Sequence, residues 1–209
     1  VARGHNFLSL APEAKITLVI NCCLLVWLVG LLFGRKRNQS QKKNRTNKEE
    51  LMDDFSIGGD LLRDTLDKLE NINRWLGGNL MTVKSLKKVL KNHPKEQELT
   101  IADIGCGHGD ILRDVAKFGR KNGYKMKLIG MDANPTAIAY ANKLSTEFPE
   151  LSFKTEDIFS EAFKNRKFDV VLATLFLHHF KEAKLVSFLG NTLKQTKIGI
   201  VVNDLHRHK

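Results

Sequence analysis

The chain of 209 residues has room for one domain of ordinary size and an appendage of about fifty residues. Hydrophobic residues make up 42% and charged residues 27%, which excludes a collagen-like or wholly disordered chain. The three cysteines, Cys22, Cys23 and Cys106, do not make a disulfide framework, so we expect a reducing compartment.

The net charge of +11 would suggest a nucleic-acid partner if it were spread over the folded part. Residues 1–34 contribute +1 and residues 35–48 contribute +7, which leaves +3 on the remaining 161 residues. The basic charge is therefore concentrated in a short polar stretch. Nucleic acid is not the partner that we expect.

Residues 1–34 contain an apolar run, ITLVINCCLLVWLVGLLF, from Ile16 to Phe33. As a helix this run would span about 27 Å, close to the roughly 30 Å of a bilayer core. A basic polar linker, residues 35–50, follows it and predicts a cytoplasmic location for the rest of the chain. We interpret residues 16–33 as a candidate membrane anchor. An extension separate from the folded domain and a buried core helix are the alternatives.

Residues 51–97 are predicted to form an N-terminal helical cap. Apolar residues spaced three and four apart predict a helix over Asp60–Leu76, which Gly77 and Gly78 end. A second helix is expected over Thr82–Asn92, before a proline. The first of these helices either forms a lid over a pocket or packs on the sheet.

Residues 98–209 alternate between strand and helix signals, which predicts a parallel sheet with crossover helices. The expected strands are Leu99–Ile104, Lys127–Met131, Leu151–Lys154, Phe168–Ala173 and Ile198–Val202. The expected helices are Asp110–Asn122, Pro135–Phe148, Glu161–Phe163 and Lys181–Leu193. The predicted fold class is α/β, a Rossmann-like doubly wound sheet of five strands with N-terminal helices and the candidate transmembrane helix.

Three glycines at alternate positions follow the first predicted strand. Gly105, Gly107 and Gly109 allow the backbone to turn sharply and to approach a ligand closely. A dinucleotide fingerprint, G-x-G-x-x-G, would require glycine at position 110, where the chain has Asp110. The spacing therefore argues against NAD or FAD.

The pattern Asp103-x-Gly105-x-Gly107-x-Gly109 resembles motif I of the class I S-adenosylmethionine-dependent methyltransferases. The later strand ends and residues 168–180 are similar to small-molecule methyltransferases of the quinone-biosynthesis type (type 11/12). The resemblance spans residues 51–209, with the cofactor-binding core in residues 98–209. It implies an enzyme that transfers a methyl group from S-adenosylmethionine to a small acceptor, such as a hydroxylated aromatic or a polyketide- or quinone-like compound. An RNA or protein methyltransferase and a non-catalytic cofactor-binding module are the alternatives.

The resemblance also implies roles for individual residues. Asp132 matches the acid that binds the ribose hydroxyls, and Asp157 and Ile158 match the adenine site. The other expected cofactor-binding residues are Asp103, Gly105, Cys106, Gly107, Gly109, Ala133 and Thr174. We expect no metal site, because Ala173 and Thr174 supply no acid after the fourth strand.

Two adjacent histidines, His178 and His179, are the candidate general bases for a hydroxyl acceptor. Because neighbouring side chains do not share one face, we expect at most one of them to face the pocket. The acceptor molecule and the oligomeric state are left open by the sequence.

Complete members of the family have seven strands, and the sequence predicts five. The resemblance therefore implies that the sixth and seventh strands are missing at the C-terminal end. A fifth strand left as an uncovered edge would be expected to aggregate or to recruit a partner.

Overall fold

The computed structural model describes residues 15–21, 59–180 and 182–205, and these residues form one sheet of six parallel strands with flanking helices. The strands are β1 (Lys15–Asn21), β2 (Leu99–Ile104), β3 (Met126–Asp132), β4 (Leu151–Thr155), β5 (Phe168–Thr174) and β6 (Thr196–Leu205). Their order across the sheet is β1-β6-β5-β2-β3-β4. The five strands expected after residue 98 are all present, which confirms the Rossmann-like α/β fold of this part.

The helices follow the predicted order with small shifts at their ends. Among the described residues they are α1 (Gly59–Trp75), α2 (Gly78–Val89), α3 (Asp110–Asn122), α4 (Pro135–Leu144), α5 (Glu161–Lys164) and α6 (Glu182–Gln195). Helix α2 begins four residues earlier than expected, directly after Gly77, whose φ is +76°. Helix α4 begins after Asn134, whose side chain accepts hydrogen bonds from the amides of Thr136 and Ala137.

The two faces of the sheet carry separate apolar cores. On one face Ile101 of β2 and Val170 of β5 pack with Leu86 of α2 and Leu112 of α3. On the other face the alternate strand residues pack with Phe163 of α5 and Phe188 of α6. Strands covered on both sides explain why the sequence shows short continuous apolar runs there.

The order of the strands predicts a ligand site at the carboxyl ends of the central strands. From β2 the chain moves outward through β3 to β4, and it then returns to β5 on the other side of β2. The loops after β2 and β5 therefore leave the sheet in opposite directions. In open α/β sheets ligands bind in the crevice at this point, outside the carboxyl ends of the strands.

The first part of the apolar run differs from the sequence expectation. Residues 15–21 form strand β1, so a transmembrane helix that includes residues 16–21 is not supported by the structure. The segment is rich in β-branched residues, which favour strands, and its backbone pairs with β6. Residues 22–33 lie outside the described residues, and no helix within the described ranges has the length and apolarity to cross a bilayer.

The fifth predicted strand, which is β6 in the structure, was expected to be an uncovered edge of the sheet. Strand β1 shows that this expectation was wrong. Strand β1 pairs in parallel with β6 over seven positions, from Lys15 opposite Gly199 to Asn21 opposite Leu205. Both sides of β6 are thus hydrogen-bonded, because β5 occupies its other side. Within the described residues the edge of the sheet is β1 and not the last strand.

Two glycines with similar backbone angles provide a test of the packing around the first loop. Gly109 has φ +80°, and a Cβ there would lie 2.5 Å from the Phe153 ring, whereas Gly123 has φ +74° and open space around it. Both alanine variants should lose about 1–2 kcal/mol for the left-handed backbone. Overpacking should cost Gly109→Ala a further 1–3 kcal/mol or so. Urea denaturation measures the difference, and equal losses would contradict the packing described here.

Candidate active site

The glycine loop between β2 and α3 is tied to the end of β3 by backbone hydrogen bonds. The amides of Gly105 and Cys106 donate to the carbonyl oxygen of Met131 at 2.9 and 3.1 Å. Gly105, Gly107 and Gly109 all have positive φ, between +52° and +80°. These angles explain the glycine requirement, since residues with a Cβ rarely adopt them.

Cys106 lies beneath this loop and not in an open pocket. Its side chain is buried, and its Sγ would contact a Cβ placed on Gly130 of β3. Burial, with the nearby carboxylates of Asp103 and Asp132, raises the pKa of the Cys106 thiol well above its usual value. The thiol is therefore un-ionised at neutral pH and unsuited to a nucleophilic role.

Asp132 connects the loops that follow β2 and β3. Its Oδ2 accepts from the Gly107 amide at 3.0 Å, and its Oδ1 accepts from the Asn134 amide at 2.9 Å. Burial raises the pKa of Asp132, while these amides, the Ala133 amide and the charge of His179 act in the opposite direction. Each carboxylate oxygen accepts more than one hydrogen bond, so Asp132 keeps acceptor capacity for a ligand.

Asp103, at the end of β2, is an unusual buried acid. It is 1% exposed, and its Oδ2 has no hydrogen-bond partner among the described residues. Burial raises the pKa of Asp103 well above its usual value, and the charges of Asp110 and Asp132 raise it further. Three acids around one glycine loop create an electronegative site, which favours a cationic ligand.

The segment after β5 faces the glycine loop from the other side of the crevice. Thr174 ends the strand with its Oγ1 3.2 Å from that of Thr82 in α2. Leu175 has φ +51°, a conformation that is strained for a residue with a side chain, and its amide donates to the Asn203 carbonyl at 2.8 Å. The next residue, Phe176, places its ring against Gly105, where any Cβ would overlap it.

The two histidines lie in a 3₁₀ turn, Leu177–His179, and they have different partners. The His178 Nδ1 lies 2.7 Å from Asp204 Oδ1, and the His178 amide donates to Asp204 Oδ2 at 3.1 Å. His179 is close enough to Asp132 for its charge to affect the pKa of that acid. The ring centroids are 4.2 Å apart, so the expectation that adjacent side chains point to opposite faces does not describe this turn.

Asp157 and Ile158 do not show the direct link to the glycine loop that Asp132 makes. The Asp157 carboxylate is exposed and accepts from the Phe159 amide at 2.9 Å. Ile158 is 8% exposed and packs in the core with Phe163. Phe159, which the sequence reasoning did not select, is 42% exposed beside them.

Several other residues of the site were not identified from the sequence. Phe176, which contacts Gly105, lies 71 positions after it in the chain, and Asp204, whose carboxylate pairs with His178, lies 26 positions after that histidine. Asn203 donates to Thr82 Oγ1 at 2.9 Å and to the Gly78 carbonyl, which joins α2 to β6. No local sequence pattern signals such contacts, because each depends on how the strands are ordered.

The site residues fit the cofactor that the sequence indicated. The glycines give the loop its sharp positive-φ turn, and Asp132 offers a carboxylate at the end of β3. The unpartnered Oδ2 of Asp103 provides a buried acceptor for a cationic group. S-adenosylmethionine carries such groups, an ammonium and a sulfonium, on the part next to its reactive methyl.

Comparison with known proteins agrees with this geometry. Residues 101–199 match a family described as a methyltransferase domain. No match is found among curated proteins. The chain is similar in fold to the DszA carbon methyltransferase, with a TM-score of 0.53 and 21% identity over 62% of this chain and 35% of that chain.

Two further solved structures are more distant in shape. The plantazolicin methyltransferase BpumL in complex with SAH is 27% identical over 65% of this chain and 48% of its own, with a TM-score of 0.47. Magnesium protoporphyrin IX methyltransferase from Synechocystis PCC 6803 is 19% identical over 60% and 58%, also with a TM-score of 0.47. The chain thus spans between about a third and three fifths of these proteins. The comparisons thus identify residues 101–199, just under half of the chain, as similar to a methyltransferase domain, a match that agrees with S-adenosylmethionine as the cofactor.

Proposed function

We propose that the chain is an enzyme that transfers a methyl group from S-adenosylmethionine to a hydroxyl group of a small, planar acceptor. The observation that carries this proposal is the buried acid beside the glycine loop, Asp103, one oxygen of which has no hydrogen-bond partner among the described residues. A buried acid of this kind is costly to the fold unless a cationic ligand uses it.

The cofactor would be held by residues at the ends of β2, β3 and β5. Asp132 would accept hydrogen bonds from the ribose hydroxyls, and Asp103 would face the cationic end. Asp157 and Ile158 would border the adenine, with Phe159 beside them. The loop residues Cys106 and Ala133 would contribute backbone atoms, and Thr174 would close the crevice from β5.

When bound, S-adenosylmethionine supplies an electrophilic methyl group on a sulfonium, and the sulfur leaves as a neutral thioether. The leaving group is already good, so alignment and exclusion of water account for most of the acceleration. This chain contributes both through the crevice walls formed by the glycine loop and by residues 174–180. Few catalytic side chains are required.

The proton of the acceptor hydroxyl would be taken by His178. Asp204 lies 2.7 Å from Nδ1 of His178, so the carboxylate orients the imidazole ring of the proposed base. As the acceptor oxygen bonds to the methyl carbon, its proton would pass to His178, whose positive charge Asp204 would stabilise. His179 would lie on the cofactor side, near Asp132.

A cluster of phenylalanine side chains near the proposed base favours a planar acceptor. Phe176 and Phe180 contact edge to face at 5.0 Å, and Phe159 contacts Phe180 at 5.5 Å. Aromatic rings in such arrangements bind other rings favourably. A hydroxylated aromatic or a polyketide- or quinone-like compound matches this surface, and DszA, which shares the fold, is a carbon methyltransferase.

The first test of this proposal is calorimetric titration of the full chain with S-adenosylmethionine and S-adenosylhomocysteine. We expect micromolar binding that Asp132→Ala weakens at least tenfold, because the variant loses the carboxylate between the two loops. Asp169→Ala is the matched control. Asp169 also accepts a hydrogen bond from a backbone amide, that of Thr100, but it lies at the amino ends of the strands, away from the site. A folded chain that binds neither compound would contradict the proposal.

We expect Asp103 to lower the stability of the free protein and to raise its affinity for S-adenosylmethionine. Burial raises its pKa, so the stability that this carboxyl contributes is present at low pH and is lost as pH rises through the folded-state pKa. At pH 7 the neutral variant Asp103→Asn should therefore unfold at a higher temperature, with a gain of about 1 kcal/mol. It should also bind S-adenosylmethionine at least tenfold more weakly. Loss of both stability and binding in calorimetry would assign Asp103 a purely structural role.

The His178 and Asp204 pair can be tested with acceptors of different acidity. General base assistance contributes about 10²–10⁴-fold, so Asp204→Asn should lower kcat at least tenfold for a phenol that is neutral at pH 7. A nitro-substituted phenol that is already ionised needs no base and should lose little. Binding of S-adenosylhomocysteine should remain unchanged. Equal losses for both acceptors would show that Asp204 only supports the fold.

A further inference from the structure

Helix α1 covers the outer side of the glycine loop. Leu66 approaches Gly107 so closely that a Cβ on that glycine would lie 3.3 Å from Leu66 Cδ2. Leu62 and Leu66 are both 4% exposed, and with Ala137 of α4 they form a small apolar cluster. The helix is therefore packed on the loop and on α4 by a buried apolar face.

A polar junction lies next to this apolar contact, with the Glu70 carboxylate at its centre. Glu70 Oε2 accepts from Arg113 Nη2 at 3.4 Å, and it lies 3.1 Å from His108 Nε2 without the geometry of a hydrogen bond. Glu70 Oε1 accepts from Arg74, one helical turn later, at 2.9 Å. The Arg113 and Glu70 side chains are only 11% and 17% exposed, so solvent screens this ion pair weakly.

Arg113 links this carboxylate to the backbone of the glycine loop. Its Nη1 donates to the His108 carbonyl oxygen at 2.6 Å, while its Nη2 faces Glu70. The peptide between two positive-φ glycines is thereby fixed from α1 through α3. A second acid of α1, Asp67, accepts from the Tyr140 hydroxyl of α4 at 3.0 Å and lies 3.9 Å from His108 Nε2.

We propose that Glu70 is a positioning residue for cofactor binding: through Arg113, which also donates to the His108 carbonyl oxygen, it holds the glycine loop in its binding conformation. Glycines have more backbone freedom than other residues, so a loop with three of them loses more entropy when a ligand orders it. A loop held beforehand binds more tightly. Docking of α1 and cofactor binding are then coupled, an inference that rests on the function proposed above.

The test combines hydrogen exchange with calorimetry on the full chain. Glu70→Gln keeps the size of the side chain and removes its charge, so amide exchange in residues 105–109 should quicken at least fivefold. The affinity for S-adenosylhomocysteine should fall at least fivefold. Asp60→Asn is the matched control, because it removes an exposed ion pair with Arg63 on the same helix. It should change neither quantity.

A second variant tests whether Arg113 transmits the effect. Arg113→Lys keeps the charge but cannot reach a carboxylate and a carbonyl with one planar group. The double variant should bind S-adenosylhomocysteine within twofold of the weaker single variant, since both act through one junction. Multiplied losses, or a folded Glu70→Gln chain with unchanged loop exchange, would overturn the proposal. If the unaltered chain binds no cofactor, the proposed function fails, while loop exchange in Glu70→Gln still decides the positioning role.

Discussion

The candidate site depends on one carboxylate that joins two loops from neighbouring strands. Asp132 accepts amides of Gly107 and Asn134, one with each oxygen, and it thereby sets the distance between the loop after β2 and the loop after β3. The loop after β2 is also bonded to the last turn of β3 through Met131. Because these are hydrogen bonds to a charged or backbone acceptor in a partly buried place, they are stronger than exposed ones. The other features of the crevice are arranged around this connection.

Two features at the carboxyl ends of the strands reduce the stability of the fold. Asp103 is buried, with no partner for one oxygen in the part of the chain that the structure describes, and Leu175 has a left-handed backbone. Such features cost on the order of 1–3 kcal/mol each and persist where the surrounding structure determines them. Two well-packed apolar cores on either side of the strands provide that surrounding structure. The coincidence of both costs at the ends of β2 and β5 supports a ligand site at that place.

The crevice is built from parts that are far apart in the chain. Helices α1 and α2 lie between β1 and β2 in the chain, and they contact the loop after β2 and the end of β6 respectively. The segment after β5 brings Phe176 to Gly105, and the last strand brings Asp204 to His178. Movement of α1 would therefore change the conformation of the glycine loop, whereas changes in β6 would alter the position of His178, the proposed base. Cofactor binding and proton transfer would thus depend on different parts of the fold.

The sequence by itself determined the elements of residues 98–205 and the loop that carries the glycines. Apolar runs and helical spacing are local signals, and alternate glycines between a strand and a helix indicate a tight loop, which the preceding acid made similar to a known motif. The apolar character of residues 16–33 was equally evident, but hydropathy does not distinguish a helix from a strand, and only pairing with β6 made residues 15–21 a strand.

Only the tertiary structure decided which polar groups meet. Asp103 and Asp132 were predicted as site residues because they match the motifs of a known family, yet the lack of a partner for Asp103 Oδ2 within the described ranges depends on what packs around it. The Glu70 junction and the His178 pair with Asp204 join residues 38 and 26 positions apart. Contacts of this kind follow from strand order and helix packing, which are driven by the burial of apolar surface. They are not predicted by any periodic pattern in the sequence.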